Sequence, residues 1–520
     1  MPVSLRPANC EPVALSALAT LLDVPLPASG GLEDPAVSGV THAGDEVQPG
    51  DLYAALPGTR RHGAEFITQA AAAGAVAVLT DEAGAPAAAA AGLPVLVVPD
   101  PRAVLGRVAD RIYSEPSRDL VIIGITGTAG KTSTAYLVEA GLRAGGHVTG
   151  MIGTVETRLG ELSVTSKRTT PEATDLHALL ATARERGVTA MVMEVSSHAL
   201  TLGRVGGVRF AVAGWTNFGM DHLDFHADSA EYFAAKASFF DGRAGTEVIN
   251  IDDPALANLI KPGTVTYSAL GDKAATWYAG GVSGGYDQRF IAHGPGGLEV
   301  RAGVALAGRH NVANALLALA CLTAVGVDPQ IAADGIASCP GVPGRLERVA
   351  GPPGGEPDIV GVVDYAHKPD AIVAALRALR ELADYRGGRL ICVIGAGGDR
   401  DRGKRPVMGR AAADGSDLLI VTDDNPRTED PAAIRAEVIA GTLSPAHGRA
   451  AEVVEVTGRR KAIDEAVRRA RSGDVIAVLG KGHERGQEIG GDVLPFDDRV
   501  ELADALTTAA RQTAPLEEPA

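Results

Sequence analysis

The chain has 520 residues, a length that predicts about three domains. Its formal net charge of −16 argues against a nucleic-acid-binding protein that works by neutralising phosphates, although a local basic cleft can still hold a small anionic substrate. No run of eighteen apolar residues and no signal-peptide pattern occur, so we expect a cytoplasmic protein without membrane insertion. The four widely spaced cysteines fit neither zinc nor disulfide spacing, which agrees with a reducing compartment.

Short apolar segments rich in β-branched residues alternate with helical segments along most of the chain. "AVAVLT", "LVIIGIT", "AMVMEV", "RLICVIG" and "DVIAVLG" are examples of the apolar segments. Such alternation predicts parallel sheets covered by helices on both faces. Two breaks, "YSEPSRDL" at 113–120 and "CPGVPGRLE" at 339–347, predict domain boundaries. The sequence therefore predicts an α/β protein of three domains in series, spanning residues 1–114, 115–341 and 342–520.

The segment "GITGTAGKTSTAYLVEAGL", which begins at Gly124, predicts a phosphate-binding loop. It lacks the regular P-loop spacing, because Ile125 occupies the position of the first glycine. The context nevertheless fits, since an apolar strand leads directly into Gly127–Ser133 and a helix follows. Glycines let backbone N–H groups face phosphate oxygens, and the helix N-terminus adds partial positive charge. Lys131 would reach the β- and γ-phosphates of ATP and Thr132 would bind Mg²⁺, whereas the alternative is an ordinary glycine-containing turn.

Acidic and imidazole side chains follow two further predicted strands. Glu194 ends the segment "AMVME", where ligands bind in open parallel sheets, and it can hold Mg²⁺ or cap the next helix. Asp221, His222 and Asp224 crowd one loop, which indicates a metal or phosphate site or else a loop of capping and surface residues. Lys236 lies among apolar residues in "EYFAAKASFF", and its periodicity alone favours a surface lysine.

Together these segments resemble the Mur ligases, the ATP-dependent amide-forming enzymes of peptidoglycan synthesis. Gly-Thr-x-Gly-Lys-Thr-[Ser/Thr] is the P-loop pattern of that family, which explains the missing glycine at 125. The motifs "EVSSHAL", "TNFGMDHLDFH", "AGRHNVANALLALA", "PGRLE" and "VVDYAHKPDA" follow in the family's order, so the resemblance covers nearly the whole chain. It implies an N-terminal uridine-binding domain, a central P-loop ATPase domain with a mostly parallel sheet, and a C-terminal Rossmann-like domain that binds an amino acid. A folylpolyglutamate synthase shares only the ATPase core.

The resemblance also assigns roles to residues of the central domain. Lys236 aligns with the lysine that relatives carry as a carbamate (N6-carboxylysine), an anion that can help to position Mg²⁺ where an ammonium would repel it. The implied catalytic residues are Lys131, Glu194, His222 and Lys236. The implied magnesium ligands are Thr132, Glu194, His222 and Lys236. The implied ATP-binding residues are Gly127, Thr128, Ala129, Gly130, Lys131, Thr132, Ser133, Asn311, Asn314, Arg345 and Asp364.

The resemblance implies that a UDP-linked muramoyl dipeptide binds the first two domains. The residues implied for uracil, diphosphate and muramoyl-peptide contacts are His42, Gly44, Thr59, Arg60, Arg61, Thr169, Thr170, Ser196 and Arg204. The chain departs from the family at 43–45, where Ala-Gly-Asp replaces the usual Asp-Ser-Arg. A serine contact to the uracil is therefore lost, and Asp45 replaces a cation near an anionic ligand.

Three motifs of the C-terminal domain follow predicted buried strands, so we expect them to meet at one sheet edge: "GAGGDRDRGKRP" from Gly395, "TDDNPRTEDP" from Thr422 and "LGKGHERGQEI" from Leu479. Taken alone, "DNPR" is typical of a turn. In relatives it marks the enzymes that add meso-diaminopimelate, because an arginine at its last position can pair with the carboxylate that lysine lacks. The implied amino-acid-binding residues are Arg400, Asp424, Asn425, Pro426, Arg427, Gly480 and Glu484.

The resemblance thus implies an ATP-dependent ligase. It would phosphorylate the D-glutamate carboxylate and then join it to meso-diaminopimelate, with Mg²⁺ as cofactor. The nearest alternative is the same ligation with L-lysine, against which Arg427 argues. A P-loop ATPase or kinase acting as a switch would leave the C-terminal motifs unexplained, and a ligase-like protein without catalysis would not need Lys131, Glu194 and Lys236. We expect a monomer whose domains close around the substrates.

Overall fold

The protein is α/β throughout, and its strands form mostly parallel sheets. A computed structural model describes residues 6–25, 34–219, 221, 225–349, 358–443 and 452–513. The chain divides into two compact units, the first formed by residues 1–278, 292–300 and 313–336, and the second by residues 279–291, 301–312 and 337–520. The first unit holds a small four-stranded sheet, a short strand pair and most strands of a larger sheet, and the second holds a six-stranded sheet and a hairpin. The small and the large sheet of the first unit have separate cores. The predicted α/β class with three successive sheet-forming regions is confirmed, whereas the domain boundaries stay a prediction.

The first unit begins with a small parallel sheet whose strands lie in chain order. Its strands are Gly39–Thr41, Asp51–Ala54, Ala77–Thr80 and Val95–Val97. The helices around it are Leu15–Leu22, Ile67–Ala72, Ala85–Ala90 and Pro101–Ile112, and a short strand pair joins Val13–Ala14 to Ala36–Val37. Asp100 caps the last of these helices by accepting hydrogen bonds from the Arg102 and Ala103 backbone N–H groups. Both faces of the sheet are buried, as expected for near-continuous apolar strands.

A larger sheet forms the centre of the first unit. Eight of its strands follow the spatial order Leu162–Thr165, Glu156–Leu159, Thr149–Ile152, Ala190–Glu194, Val121–Thr126, Val212–Trp215, Thr246–Asn250 and Val265–Ser268. The first three of these pair antiparallel and the others parallel. The helices of this region are Lys131–Ala144, Ala173–Glu185, Ser197–Thr201, Ser229–Ala237 and Pro329–Ala337, with short 3-10 turns at Pro116–Arg118, Pro254–Leu259 and Pro295–Gly297. A further 3-10 turn, Gly63–Phe66, belongs to the region of the small sheet. The chain crosses between the units in the elements Trp277–Ser283, Gln288–His293, Glu299–Val304 and Arg309–Ala324, and again at the end of Pro329–Ala337.

The second unit contains a six-stranded sheet. Its strands follow the spatial order Glu347–Val349, Val360–Asp364, Val475–Leu479, Leu390–Ile394, Leu418–Val421 and Glu452–Glu455. Only the first pair is antiparallel. The helices are Pro369–Arg386, Lys404–Gly415, Pro431–Thr442, Arg459–Arg469 and Asp498–Thr513, and an antiparallel hairpin joins Gly486–Ile489 to Asp492–Pro495. Apolar clusters cover both faces of the sheet, so the loops after its parallel strands share one edge.

None of the helices in the described ranges combines the length and the apolar character needed to cross a bilayer. The four cysteines are free thiols, and three of them, Cys321, Cys339 and Cys392, are buried.

Candidate functional site

The predicted phosphate loop lies between the strand Val121–Thr126 and the helix Lys131–Ala144. Gly127 adopts a φ of 138°, and a Cβ atom built on it would lie 1.8 Å from the Thr216 Oγ1. Gly130 adopts a φ of 87° as the N-cap of the helix. A side chain at either position would require a strained backbone and would also clash, at Gly127 with Thr216 and at Gly130 with Asn314. The loop conformation therefore depends on both glycines, as the sequence predicts.

Side chains from a neighbouring strand end hold this loop in place. Asn217 accepts a hydrogen bond from the Ala129 N–H at 3.0 Å and donates one to the Ala129 carbonyl at 3.0 Å. Thr216 donates to the same carbonyl at 2.6 Å. Lys131 donates from Nζ to the carbonyls of Gly127 and Thr128, at 2.9 and 3.1 Å. The lysine thus lies over the loop whose N–H groups would receive phosphate oxygens.

Glu194 lies beside the loop and is almost completely buried. Its carboxylate accepts hydrogen bonds from the Thr132 hydroxyl at 3.1 Å, from the Thr154 N–H at 2.8 Å and from the Thr154 hydroxyl at 3.0 Å. The strands of Glu194 and of the phosphate loop are adjacent and parallel, which brings their carboxyl ends together. The capping alternative for Glu194 does not apply, because Ser196 caps the following helix by accepting from the Ala199 N–H. A carboxylate and a threonine hydroxyl form the hard-oxygen set that suits Mg²⁺.

Lys236 is buried, with 1% of its surface exposed, and its Nζ donates to the Gly127 carbonyl at 2.8 Å. The ammonium also lies 4.8 Å from the centre of the Tyr232 ring. Burial, followed by the nearby Lys131 ammonium, holds the pKa of Lys236 well below its usual value, and Asp221 acts in the opposite direction. The surface position favoured by periodicity is therefore wrong. A lowered pKa leaves more of the amine neutral, which is the form that can react with CO₂.

The loop that carries Asp221, His222 and Asp224 is described only in part. Asp221 lies within the described residues, whereas His222, predicted as a catalytic residue and magnesium ligand, and Asp224 lie outside them. Within the described ranges, no group of three or more His, Cys, Asp and Glu side chains is arranged to hold a metal ion. The residues that fit Mg²⁺ are thus Glu194 and Thr132, and the role of His222 stays a prediction.

The residues predicted to grip the muramoyl peptide form one hydrogen-bonded chain next to Glu194. Thr170 donates to the Glu194 backbone carbonyl at 2.8 Å and accepts from the Ser196 N–H at 3.1 Å. Arg204 donates to the Thr170 carbonyl at 3.3 Å and pairs with Glu172 at 2.6 Å. Thr169 lies 3.1 Å from the Thr154 hydroxyl that contacts Glu194. The structure thus brings these predicted residues close to Glu194, whose carboxylate suits Mg²⁺.

The residues predicted for uridine and diphosphate lie on loops of the small sheet. His42 Nδ1 lies 3.4 Å from the Thr174 hydroxyl. A Cβ built on Gly44 would lie 3.1 Å from the Phe66 Cβ, so the loop packs closely here. The turn residues Thr59, Arg60 and Arg61 are exposed, and Arg61 donates to Glu65 at 2.9 Å. These side chains are accessible, and their contacts to a nucleotide stay predictions.

A cavity of about 650 Å³ opens beside these loops, within the first unit. Its lining includes residues 45–48, in the loop between two strands of the small sheet, and residues 164–168, at the end of and just after an edge strand of the large sheet. Thr174, the partner of His42, also lines it. A volume of this size suits a small-molecule ligand.

The residues predicted to hold adenine and ribose fall in both units. In the first, Asn314 lies beside the phosphate loop, since a Cβ built on Gly130 would be 2.5 Å from its Oδ1. In the second, Asn311 donates to the Ala307 carbonyl at 2.8 Å, and Asp364 accepts from the Leu346 and Ala366 N–H groups at 2.7 and 2.8 Å. Arg345 stacks over the Tyr365 ring at 4.7 Å. Burial raises the pKa of the Asp364 carboxyl, whereas Arg345 acts in the opposite direction.

The three C-terminal motifs meet at one edge of the six-stranded sheet, as predicted, because their strands are adjacent and parallel. Asn425 donates to Glu484 at 2.9 Å. Lys481 is completely buried, and its Nζ donates to Asn425 Oδ1 at 2.9 Å and to Glu484 Oε2 at 3.0 Å. Asp424 Oδ2 lies 2.6 Å from where a Cβ on Gly480 would be, so glycine is required there. The amide of Asn425 is therefore fixed by the surrounding protein.

Arg427, the last residue of the "DNPR" motif, is held at its backbone and its side chain. It adopts a φ of 53°. Its Nε donates to Glu488 at 2.9 Å and its Nη1 donates to the Gly398 carbonyl at 2.7 Å. A Cβ on Gly398 would lie 1.9 Å from the Pro426 carbonyl, so two of the motifs pack directly against each other. Arg400 is exposed on the neighbouring loop.

Several residues of these sites were not found from the sequence. Lys481 and Glu488 lie in the third C-terminal motif, of which only Gly480 and Glu484 were predicted as site residues. Asn217 follows the strand next to that of the phosphate loop, and Thr154 follows the strand next to that of Glu194. These positions are the signal that could have found them. The buried pair Arg459–Asp498, at 2.6 Å, carries no local signal at all, although Arg459 also donates to the Leu479 carbonyl at 2.9 Å.

Comparison with known proteins places the chain in one family. A model of the Mur ligase family catalytic domain matches residues 36–113, the Mur ligase middle domain matches residues 125–322, and the Mur ligase glutamate ligase domain matches residues 344–482. The matches follow the order of the three sheets. The chain therefore belongs to the Mur ligase family, whose members are ATP-dependent ligases that form amide bonds.

Individual relatives agree with this assignment. The chain is 53% identical over 507 residues to UDP-N-acetylmuramoyl-L-alanyl-D-glutamate–2,6-diaminopimelate ligase of Streptomyces coelicolor, with 96% of this chain and 98% of the relative covered. It is 48% identical to the protein of that name from Corynebacterium glutamicum, with 89% and 90% covered. A solved structure of a ligase of that name superposes with a TM-score of 0.70 at 30% identity, covering 97% of this chain and 100% of the other. The predictions of family, fold class and enzyme class are confirmed.

Proposed function

We propose that this chain joins meso-2,6-diaminopimelate to the D-glutamate γ-carboxylate of UDP-N-acetylmuramoyl-L-alanyl-D-glutamate, with hydrolysis of ATP, in peptidoglycan synthesis. The observation that carries this proposal is that the loops bearing Arg427 and Asn425 and the loop bearing Glu484 lie at one edge of the same sheet, where Asn425 donates to Glu484 at 2.9 Å, in a chain of the Mur ligase family. A cation and an anion at the same sheet edge suit the two charged ends of an amino acid. The relatives' names support diaminopimelate over L-lysine.

The first unit would carry out the phosphoryl transfer. The ATP phosphates would lie on the loop 127–133, whose N–H groups and helix N-terminus offer positive charge. Lys131 would move from the loop carbonyls to the phosphates. The D-glutamate carboxylate attacks the γ-phosphorus and ADP leaves, which converts a poor acyl donor into an acyl phosphate. The developing charge on the transferred group would be stabilised by Lys131.

Mg²⁺ is the cofactor that these residues would hold. Glu194 and the Thr132 hydroxyl, 3.1 Å apart, would bind it together with His222, and Mg²⁺ would supply neutralisation of phosphate charge. Lys236 would enter this set as N6-carboxylysine, since a buried amine next to Lys131 is disfavoured as a cation. The carbamate would exchange that buried positive charge for a negative one facing the metal.

The second unit would choose the amino acid. Arg427 and Arg400 would receive carboxylate groups of diaminopimelate, because the guanidinium fork donates two parallel hydrogen bonds. Glu484 and the Gly480 carbonyl would accept from an ammonium. The other amine of the substrate then attacks the acyl phosphate and phosphate leaves. L-Lysine would lack the carboxylate that Arg427 recognises, which accounts for the preference.

The remaining assignments belong to the same proposal. Uridine and diphosphate would bind near His42, Gly44 and the turn 59–61, and the muramoyl peptide would bind near Thr170 and Arg204. The free precursor and ATP are cytoplasmic compounds, so the enzyme would act in the cytoplasm. It would be a monomer, and its domain boundaries would lie at residues 114/115 and 341/342. Nucleic acid would have no part in the reaction.

One assay tests the proposal. ADP release by the purified chain is measured with ATP, Mg²⁺ and the UDP-linked dipeptide, with meso-diaminopimelate, L-lysine or no amino acid added. Release that requires meso-diaminopimelate, with a tripeptide product confirmed by mass spectrometry, is expected. Turnover with L-lysine at a comparable rate would contradict the amino-acid assignment, and release without any amino acid would favour an ATPase switch.

A further inference from the structure

The predicted carboxylate-binding arginine already has a carboxylate partner inside the protein. Arg427 Nε donates to Glu488 Oε2 at 2.9 Å, with 20% of the arginine side chain and 40% of the glutamate side chain exposed. Glu488 comes from the hairpin strand Gly486–Ile489, not from the "DNPR" loop. Recognition of a substrate carboxylate by Arg427 therefore takes place next to a fixed negative charge.

The backbone fixes the two residues next to each other. The Arg427 N–H donates to the Glu488 carbonyl at 3.0 Å, and the Gly490 N–H donates to the Arg427 carbonyl at 2.7 Å. The Glu488 N–H in turn donates to Asn425 Oδ1 at 3.0 Å. None of these hydrogen bonds uses the Glu488 side chain. The position of Arg427 next to the hairpin thus does not depend on the charge of Glu488.

The side-chain contacts leave part of the guanidinium for a ligand. Nε is used by Glu488 and Nη1 by the Gly398 carbonyl. In the described part of the chain, Nη2 makes no hydrogen bond. A Cβ built on Gly397 would lie 3.1 Å from Arg427 Nη1 and 3.8 Å from the Arg400 Cγ, so the two arginines flank one glycine. A substrate carboxylate would bind the Nη2 end, with Glu488 as its negative neighbour.

This arrangement changes the expected origin of selectivity. If Arg427 had no internal partner, an amino acid without the second carboxylate would leave its guanidinium unpaired, at a large cost in binding free energy. Glu488 removes that cost, because it neutralises Arg427 whether or not the substrate does. It also repels the incoming carboxylate. Both effects weaken the discrimination between meso-diaminopimelate and L-lysine.

We propose, resting on the proposed function, that Glu488 is a specificity-determining residue that acts as an internal counter-ion of Arg427. Its charge limits how strongly the enzyme prefers an amino acid with a distal carboxylate over one without it. Its effect acts through Arg427 and the charge of the substrate, not through the fold. Removal of its charge should therefore sharpen the selectivity rather than damage the site.

Glu488→Gln tests this inference, because it removes the charge and retains the shape and the backbone hydrogen bonds. The KM for meso-diaminopimelate and the inhibition constant of L-lysine are measured in the ADP-release assay. We expect the ratio of the lysine inhibition constant to the diaminopimelate KM to rise about fivefold, a modest value because the pair is partly exposed and screened by solvent. The matched control is Glu452→Gln, which removes the partner of Arg469 from another exposed ion pair of the second unit, at 2.6 Å.

The outcomes separate cleanly. A ratio that stays within twofold of the unsubstituted enzyme, or that falls, overturns the inference, since a glutamate that merely orients Arg427 would weaken diaminopimelate binding when it is changed. If lysine does not inhibit either enzyme, the KM for meso-diaminopimelate decides alone: a decrease supports the inference and an equal or higher value overturns it. If Glu488→Gln is unstable in a thermal melt, Glu488→Ala is measured by the same criteria. Failure of the unsubstituted enzyme to ligate meso-diaminopimelate would instead overturn the proposed function.

Discussion

Lys481 offers the sharpest test of how the amino-acid site is built, and the change to examine is Lys481→Met. Methionine keeps the volume and the unbranched shape of lysine and removes only the ammonium. In the structure this ammonium is inaccessible to solvent and bonds Asn425 at 2.9 Å and Glu484 at 3.0 Å. We expect a raised KM for meso-diaminopimelate and an unchanged KM for ATP, because both partners belong to the proposed amino-acid site.

The size of the effect follows from the two contacts. Each hydrogen bond from a charged donor contributes about 1.5–3 kcal/mol. The Glu484 side chain is 35% exposed, so water can replace part of its bond. The amide of Asn425 is nearly buried, so its Oδ1 keeps the bond from the Glu488 N–H but cannot replace the lost one with water. A net loss of about 2 kcal/mol is therefore expected, which corresponds to a roughly thirtyfold increase in the KM. The kcat should change less, because Lys481 acts on binding groups and not on the reacting atoms.

The assay is steady-state ADP release with each substrate varied in turn. Lys461→Met, on an exposed position of the helix Arg459–Arg469, is the matched control and should leave all three KM values unchanged. Lys481→Met, Glu484→Gln and the double variant complete a cycle. If Lys481 acts by positioning Glu484, the double variant should raise the KM for meso-diaminopimelate by much less than the product of the two separate increases.

Two results would refute this reasoning. One is a KM for meso-diaminopimelate within threefold of the unsubstituted value in a folded Lys481→Met protein. The other is a cycle in which the separate effects simply multiply, which would indicate that Lys481 and Glu484 act independently of each other. If Lys481→Met does not fold, Lys481→Leu, which also lacks the donor, is measured by the same criteria.

Three further predictions follow from the described contacts. Gly127→Ala should lower ATP-dependent turnover at least about 100-fold, because its Cβ would lie 1.8 Å from the Thr216 hydroxyl. Gly146→Ala is the control and should not lower turnover, since Gly146 also has a positive φ but a Cβ there meets no atom within 4 Å. Normal turnover of Gly127→Ala would contradict the loop geometry. Lys236→Ala should abolish ligation, and short carboxylic acids should restore it in part; full activity without them would exclude a carbamate role. Burial and two nearby arginines lower the pKa of His483 to about 4, so the unfolded chain takes up a proton below pH of about 6.5 while the folded chain does not. Stability should therefore fall by about 2–3 kcal/mol from pH 6.5 to 4 relative to His483→Gln, and equal denaturation curves of the two proteins would refute this.

The phosphate loop is the part of the site that the sequence describes best. A buried strand, two glycines with positive φ and a Lys-Thr pair at a helix start are all local features. Their conformational demands lie within seven consecutive residues, so the sequence carries them directly. The same is true of Glu194, Gly395 and Gly480, which follow strands whose apolar composition marks them as buried.

Other residues depend on contacts between distant parts of the chain. Lys236 reads as a surface lysine by periodicity, yet its Nζ bonds a carbonyl 109 positions away. The partners of Asn425 lie 56 and 59 positions further along the chain. The periodicity of a helix or strand says which face is apolar, but it does not say which loop covers that face.

By itself the sequence determined the α/β class, the phosphate loop and the family, because these depend on short patterns of apolar, glycine and charged residues. Only the tertiary structure decided that the amines of Lys236 and Lys481 are buried and that Arg427 is paired with Glu488. The physical reason is that the environment of a charge is set by everything packed around it. Strand order and loop packing bring those neighbours together, and neither is contained in any local stretch of the chain.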